Sequence, residues 1–210
     1  ANRVPTYFMR TLPDIFPAFL ECVFDTHPKV SAMAGDVMRP MCQCVKNAEV
    51  LGMLDLVIGA IKQPQKETEN CLDRLMETTF VNSMDAPSLA VILPIIMRGL
   101  REPSFPLKKK AAVTCGNICA LVDDVRDLNP FIPSLKPELE KCEEHSHPDL
   151  RECATKAKAG LLKGLEGGAG ERKVAAMCVA TALVAHGADK LDKEVSGYAA
   201  VAAVHLAVAT

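Results

Sequence analysis

The sequence predicts an all-α protein in which antiparallel helix pairs stack into a right-handed superhelical solenoid. The first observation is compositional, since 49% of the 210 residues are hydrophobic but only 4% are aromatic. Such a balance favours helices packed through aliphatic side chains over β-sandwiches, which use more aromatic and β-branched residues. The second observation is that polar turns recur at nearly constant intervals between apolar segments of helical length.

Four prolines mark these turns. Pro28, Pro64, Pro106 and Pro148 each follow polar residues, and the intervals between them are 36, 42 and 42 residues. Each stands at the predicted beginning of a helix, where its missing N–H leaves no helical bond unmade. A further step of about 40 residues reaches "HGADKLDKEVSG", which contains turn residues but no proline.

A helix is predicted on each side of every turn. The predicted helices cover residues 12–24 and 30–45, 50–61 and 67–81, 89–100 and 107–122, and 131–142 and 150–165. Pro13 and Pro17 stand 15 and 11 residues before the turn proline of the first pair, and Pro133 and Pro137 keep these distances in the fourth pair. This agreement predicts a bent or late-starting first helix in both pairs.

Two helices per repeat, a period of about 40 residues and a polar turn between the helices are typical of HEAT repeats. One helix pair cannot bury its own apolar faces, so neighbouring pairs bury them for each other. We predict about four pairs over residues 1–166. We predict a Gly-rich linker over 167–173, and over 174–210 an Ala-rich helical pair that is either a fifth repeat or the start of another element.

The cysteines predict a reducing, cytoplasmic location. Disulfide frameworks are typical of small secreted chains, whereas this chain is well supplied with core residues. Seven of the nine cysteines lie in apolar helical patterns, where a thiol packs as a small hydrophobe: Cys42, Cys44, Cys71, Cys115, Cys119, Cys153 and Cys178. Charged residues interrupt the most apolar tract, 174–209, before it reaches the roughly 20 residues that span a bilayer. We therefore expect no membrane association.

We predict no catalytic residues, metal, cofactor or small-molecule ligand. A thiol nucleophile needs an adjacent base, and the five scattered histidines do not provide one. Cys115 and Cys119 are one helical turn apart, but core packing explains them better than a metal site. His145 and His147 lie among acidic residues in a turn, where polar residues are expected anyway. The segment 164–173 lacks the Lys–Ser/Thr pair of a phosphate-binding loop.

Three stretches of sequence carry a resemblance to a known family. They are "DTHPKV" (25–30), "TTFVNSMDAPSLAVILPIIMRGLRE" (78–102) and "LKKKAAVTCGNICALVDDVRDLNPFIPSLKPELEK" (107–141). The region from about 12 to 165 resembles the HEAT region shared by fungal-type translation elongation factor three and the general-control coactivator that senses stalled ribosomes. The resemblance implies binding to ribosomal RNA and proteins, and contacts with other translation factors. It implies that any ATPase activity lies in cassettes outside this chain.

Basic residues near the turns are the candidate binding site. They are Lys29, Lys66, Lys108, Lys109, Lys110 and Arg151. Equivalent positions of stacked repeats line up, so these residues are predicted to form a basic edge that follows rRNA phosphates despite a net charge of −2. The alternative is that they are solvated surface residues of a protein–protein scaffold that binds no RNA.

The three consecutive lysines span about 200° of a helix, so at most two of them can face one edge. Positive charge at a helix N-terminus opposes the helix dipole, which favours a functional reason for the run. We expect that reversing the charge of all three abolishes ribosome binding without unfolding the array. We also expect Asp127 or Asn129 to cap the helix that follows.

Overall fold

The computed structural model describes residues 5–165, with the side chains of residues 7–162. This part of the chain is built from helices and their connections, without a β-strand. Its α-helices are α1 Pro5–Val23, α2 Pro28–Cys42, α3 Ala48–Gly52, α4 Leu54–Lys62, α5 Pro64–Glu77, α6 Ala86–Arg101, α7 Phe105–Cys119, α8 Val125–Leu128, α9 Ile132–Glu143 and α10 Pro148–Leu165. A 3₁₀ turn, Asn129–Phe131, joins α8 to α9. The predicted linker 167–173, the predicted pair 174–210 and Cys178 lie outside the described residues.

The helix pairs confirm the predicted all-α class. The four pairs are α1–α2, α4–α5, α6–α7 and α9–α10. Pro28, Pro64 and Pro148 are the first residues of the second helix in their pairs, and Pro106 is the second residue of α7. None of the described helices is both long and apolar enough to cross a membrane.

The first helix of the second pair differs from the prediction. The predicted helix 50–61 is two helices, α3 and α4, which are separated at Met53 with φ −111° and ψ 15°. The first helix of the array, α1, packs against α6 of the third pair as well as against α2.

The proline pattern has different outcomes in the first and fourth pairs. In the fourth pair α9 begins late, at Ile132, with Pro133 in its first turn, as predicted. In the first pair the alternative of a late start is wrong, because α1 begins at Pro5 and is helical through Pro13 and Pro17, and the alternative of a bent helix stays a prediction.

The predicted cap between the third and fourth pairs is also wrong. Neither Asp127 nor Asn129 caps α9, because the extra helix α8 occupies this stretch and Phe131 precedes α9. Asp124 caps α8, since its carboxylate accepts the backbone N–H of Arg126 at 2.9 Å. Asp127 instead accepts the backbone N–H of Ala86, at the start of α6.

The core runs through the array as one continuous apolar cluster. Its centre is α6, which packs against α1, α4, α5, α7 and α9. Leu89, Ile92, Ile95 and Ile96 of α6 are fully buried. A helix that is apolar on all sides is typical of a fully enclosed position. The loop residues between successive pairs are fixed by polar contacts such as that of Met84, whose N–H donates to the Leu121 carbonyl at 3.0 Å.

The third and fourth pairs meet at the contact between α7 and α10, which is the most extensive helix–helix contact of the described region. Two glycines, Gly116 and Gly160, lie in this contact. A Cβ on Gly116 would lie 2.7 Å from the Ala157 Cα, and one on Gly160 would lie 2.6 Å from the Gly116 carbonyl oxygen. The helix backbones therefore touch at this point. Gly116 belongs to the "GNICALVD" stretch, so packing accounts for one of the residues that carry the family resemblance.

A buried carboxylate links the third and fourth pairs on another side. Glu138 of α9 is 9% exposed and forms ion pairs with Arg101 at 3.0 Å and Lys141 at 3.1 Å. Burial of the Glu138 carboxyl raises its pKa, but the hydrogen bonds from Lys141 and Arg101 outweigh this effect, so its pKa lies below the ordinary value.

Glu138→Gln should lower the free energy of unfolding at pH 7 by about 1 kcal/mol, because a neutral amide loses the charge-assisted bonds while both cations stay accessible to water. A carboxyl with a lowered pKa in the folded state stabilises the fold above its unfolded pKa, and that contribution is lost as the pH falls through the folded pKa. Urea unfolding of both proteins should therefore show a difference that shrinks below about pH 4. A difference that stays constant from pH 7 to pH 3 would contradict the ionic contribution.

Candidate functional site

The turns within the four pairs lie together along one side of the array. We call this side the turn edge, and define it as residues 24–27, 63, 102–104 and 144–147 with the first four residues of each following helix. Of the predicted basic residues, Lys29, Lys66, Lys108 and Arg151 belong to it, and Lys109 and Lys110 follow it directly along α7.

Arg98 brings the first three turns together. Its guanidinium carbon is 6.0 Å from the centre of the Phe24 ring, after α1, and its Nη1 donates to the Ala60 carbonyl of α4 at 2.9 Å. Burial lowers the pKa of Arg98, and the charge of Glu102 acts in the opposite direction. The ends of α1, α4 and α6 therefore meet at one cation.

Two contacts join the third turn to the fourth. The ring centroids of Phe105 and His147 are 4.3 Å apart, and Lys109 Nζ is 3.1 Å from an oxygen of Asp149. These residues stand at the start of α7 and at or just before the start of α10. The turns of successive pairs are thus neighbours, as the repeat pattern predicted.

Three of the candidate lysines have no acidic partner among the described residues: Lys29, Lys66 and Lys108. Lys29 and Lys66 are exposed, and Lys108 is half-buried. They are contributed by the first, second and third pairs, in that order. Their ammonium groups are therefore available to an anionic partner along three repeats.

The other two lysines are occupied by contacts between repeats. Lys110 lies 2.9 Å from Glu69 and 2.7 Å from Asp73, both on α5, whereas Lys109 pairs with Asp149 of α10. Burial lowers the pKa of Lys110, but its hydrogen bonds to Asp73 and Glu69 outweigh this, so its pKa is raised. Lys110 thus binds the second helix pair, and Lys109 binds the fourth.

Arg151 is exposed and shapes the fourth turn. Its Nη1 donates to the carbonyls of His145 and Ser146, each at 2.9 Å. Reversing all three lysines of the run would also break the ion pairs of Lys109 and Lys110. The expectation that such a variant keeps its fold does not fit these contacts, so the sharper test of the turn edge uses Lys108 alone from the run.

Comparison with known proteins identifies the family. Residues 66–172 match the family described as "Elongation factor 3/GNC1 HEAT repeat". The chain belongs to this family. Its repeats therefore confirm the predicted HEAT architecture and the suspected relationship.

Relatives of this HEAT-repeat family include proteins of both suspected kinds. The chain is 37% identical to Protein ILITYHIA of Arabidopsis thaliana over 167 residues, and this alignment covers 77% of the chain and 6% of that protein. It is 33% identical over 165 residues to the human stalled ribosome sensor GCN1, covering 79% of this chain and 6% of that protein. It is 36% identical over 154 residues to elongation factor 3 of Phytophthora infestans, covering 73% of this chain and 15% of that protein. The chain thus spans a small part of these relatives.

Five thiols of this HEAT-repeat module pack in its core, whereas Cys44 and Cys153 are half-buried and Cys22 is exposed; the five are Cys42, Cys71, Cys115, Cys119 and Cys142. Cys42 and Cys71 are fully buried, and burial raises the pKa of each to about 12. A hydrogen bond with Cys119 and complete burial raise the pKa of Cys115 as well. Thiols kept protonated at neutral pH are poor nucleophiles and poor metal ligands. Within residues 5–165, no three His, Cys, Asp or Glu side chains are placed to hold a metal ion.

A cleft that the sequence did not reveal lies at the other ends of the helices. It has a volume of about 320 Å³ and lies between α1, the loop before α3, the start of α6 and the α8 region. Its charged lining residues are Arg10, Lys46 and Arg126 with Asp14, Asp85 and Asp127. Burial, with the charges of Asp124 and Asp85, raises the pKa of Asp127. Because the charges balance, the cleft favours neither an anion nor a cation.

Sequence reasoning missed two residues near the turns, Arg98 beside the turn edge and His147 within it. Arg98 was not distinguished from other helix residues, because its partners come from α1 and α4. His147 was considered only as a metal ligand. Its position directly before a turn proline, which His27 shares, is the signal that would have assigned it to the turn edge.

Proposed function

We propose that this HEAT-repeat region binds the ribosome, with Lys29, Lys66 and Lys108 contacting rRNA phosphates and neighbouring surfaces contacting ribosomal proteins. The observation that carries the proposal is the row of three lysines without acidic partners along the turn edge. The human relative's name, stalled ribosome sensor GCN1, supports a ribosomal partner. The module acts in the cytoplasm by docking, and any ATPase activity of the full protein lies in cassettes outside this chain.

The local charge of the turn edge supports an anionic partner although the chain as a whole carries −2. Asp149 is paired with Lys109, and both Glu69 and Asp73 with Lys110, so these carboxylates repel an approaching phosphate less than free ones would. Lysine contacts to phosphate release bound counterions, which gives affinity that depends on salt but little on sequence. That behaviour suits a helical surface docked on folded rRNA.

The proposal is tested by co-sedimentation with 80S ribosomes. The variant carrying Lys29→Glu, Lys66→Glu and Lys108→Glu should lose most of its binding. The matched control carries Arg10→Glu, Lys46→Glu and Arg74→Glu, which change the net charge equally at exposed positions outside the turn edge. The control should bind like the wild type. Equal binding by the two variants would refute the turn edge as the docking surface.

The alternative function is a protein–protein scaffold of the coactivator type that contacts no RNA. A yeast relative is named eIF-2-alpha kinase activator GCN1. The outer face of α2 favours a protein contact, because Val30, Met33 and Val37 are 37%, 69% and 49% exposed on one side of the helix. Under this alternative, Met33→Glu should abolish ribosome association whereas the lysine variant should not.

A further inference from the structure

Three aromatic rings follow one another where the third and fourth turns of the turn edge meet, the first two tilted and the last two nearly parallel, and we call them the ring stack. The rings of Phe105 and His147 have centroids 4.3 Å apart with planes inclined by 35°. His147 and His145 follow at 5.4 Å with planes inclined by 19°. Phe105 belongs to the third helix pair and the histidines to the fourth, so two repeats build one stack.

Hydrogen bonds fix the turn that carries the two histidines of this ring stack. The backbone N–H of His147 donates to His145 Nδ1 at 3.3 Å. Arg151 holds the same turn through its bonds to the carbonyls of His145 and Ser146. His147 is nevertheless exposed, and His145 is half-buried. The rings are therefore positioned in advance at the surface, which lowers the entropic cost of binding a planar ligand.

The charges around the ring stack favour an anion beside a planar group. Arg151 is exposed and uses Nη1 for its turn contacts, and a guanidinium has five N–H donors. Lys108, without an acidic partner among the described residues, stands three residues after Phe105. The nearby Asp149 is paired with Lys109.

We propose that the ring stack and Arg151 bind an unpaired nucleobase and its phosphate in single-stranded RNA. The base stacks against the exposed ring of His147, and Arg151 holds the phosphate. Base stacking on aromatic side chains tolerates any sequence, because every base has a π face, but it requires a base that is not buried in a duplex. This inference rests on the proposed ribosome binding and adds the kind of RNA element that the fourth turn takes.

The test uses the full 210-residue chain and a fluorescein-labelled oligouridine decamer, with affinity measured by fluorescence anisotropy. His147→Ala should weaken binding at least about fivefold, which is the lower range for removing one stacking side chain. His147→Phe should keep near wild-type affinity, because it retains a stacking ring. A double-stranded RNA of the same length should bind more weakly than the decamer.

Tyr7→Ala is the control, because Tyr7 is an aromatic side chain of α1 that is 69% exposed, lies outside the turn edge and has no ring contact among the described residues. It should leave the affinity for the decamer unchanged. Equal effects of the two alanine variants would overturn the inference, as would an equal loss in His147→Phe. The proposed function is tested separately, by ribosome co-sedimentation of the lysine variant, so either proposal can fail without the other.

A second measurement does not depend on any variant. A decamer containing 4-thiouridine, irradiated with the wild-type chain, should crosslink to the peptide that holds residues 145–151. Crosslinks confined to other peptides, or no binding of the decamer by the wild type, would overturn the inference.

Discussion

Gly116→Ala and Gly160→Ala should each destabilise the protein by about 2–3 kcal/mol, the upper part of the range for overfilling a packed interior. The added Cβ would lie 2.7 Å from the Ala157 Cα in the first case and 2.6 Å from the Gly116 carbonyl oxygen in the second. Both obstacles are backbone atoms, so no side-chain rotation relieves the overlap. The helices α7 and α10 must separate, which loosens the most extensive helix–helix contact of the described region.

The sign of this effect distinguishes packing from helix propensity. Alanine in a helix interior is ordinarily more stable than glycine by about 0.5–1 kcal/mol. Gly59→Ala in α4 is the matched control, because its Cβ would meet only the Glu67 side chain, at 3.8 Å. Thermal unfolding should show a higher Tm for Gly59→Ala and a lower Tm for the other two variants. A raised Tm for Gly116→Ala would show that the backbones of α7 and α10 do not touch.

Lys110→Glu should lower the free energy of unfolding by about 1–2 kcal/mol, because it removes two ion pairs and places a third negative charge beside Glu69 and Asp73. The Lys110 side chain is 26% exposed, so water and salt screen these interactions less than at a fully solvated site. The variant should lose stability because the contact between α5 and α7 is weakened.

Lys108→Glu is the comparison variant within the same run of lysines. It has no acidic partner among the described residues, so its charge reversal should change stability by less than about 0.5 kcal/mol. Urea unfolding of the two variants measures the difference, and ribosome co-sedimentation of the same proteins should show the reverse order of effects. Equal loss of stability in both would contradict the division of the run into structural and solvent-facing lysines.

The order of the helices could be predicted because each depends on local sequence. The turn prolines and the apolar spacing located the helices to within a few residues, except for the start of α1, which is Pro5 and not residue 12. The break at Met53 and the extra helix α8 could not be predicted, because neither follows from periodicity. The early start of α1 was missed, since its two prolines carry the same signal as those of α9, where the chain does begin its helix late.

The role of each lysine depended on contacts between repeats. Lys109 pairs with a residue 40 positions ahead, and Lys110 with residues 41 and 37 positions behind. These separations are close to one repeat period, so the pattern contained the information that these partners are neighbours. Which of the three lysines faces which neighbour depends on the rotation of α7, and that is fixed by the glycine contact with α10.

The salt dependence of ribosome binding tests the central claim most directly, namely that lysines of the turn edge contact rRNA phosphates. Binding constants of the wild type and of the variant with Lys29→Gln, Lys66→Gln and Lys108→Gln should be measured across a range of KCl concentrations. If each lysine neutralises one phosphate, the slope of log K against log salt should become shallower by about 2–3 in the variant. Parallel lines for the two proteins would show that these lysines contact no phosphate, and would contradict the account.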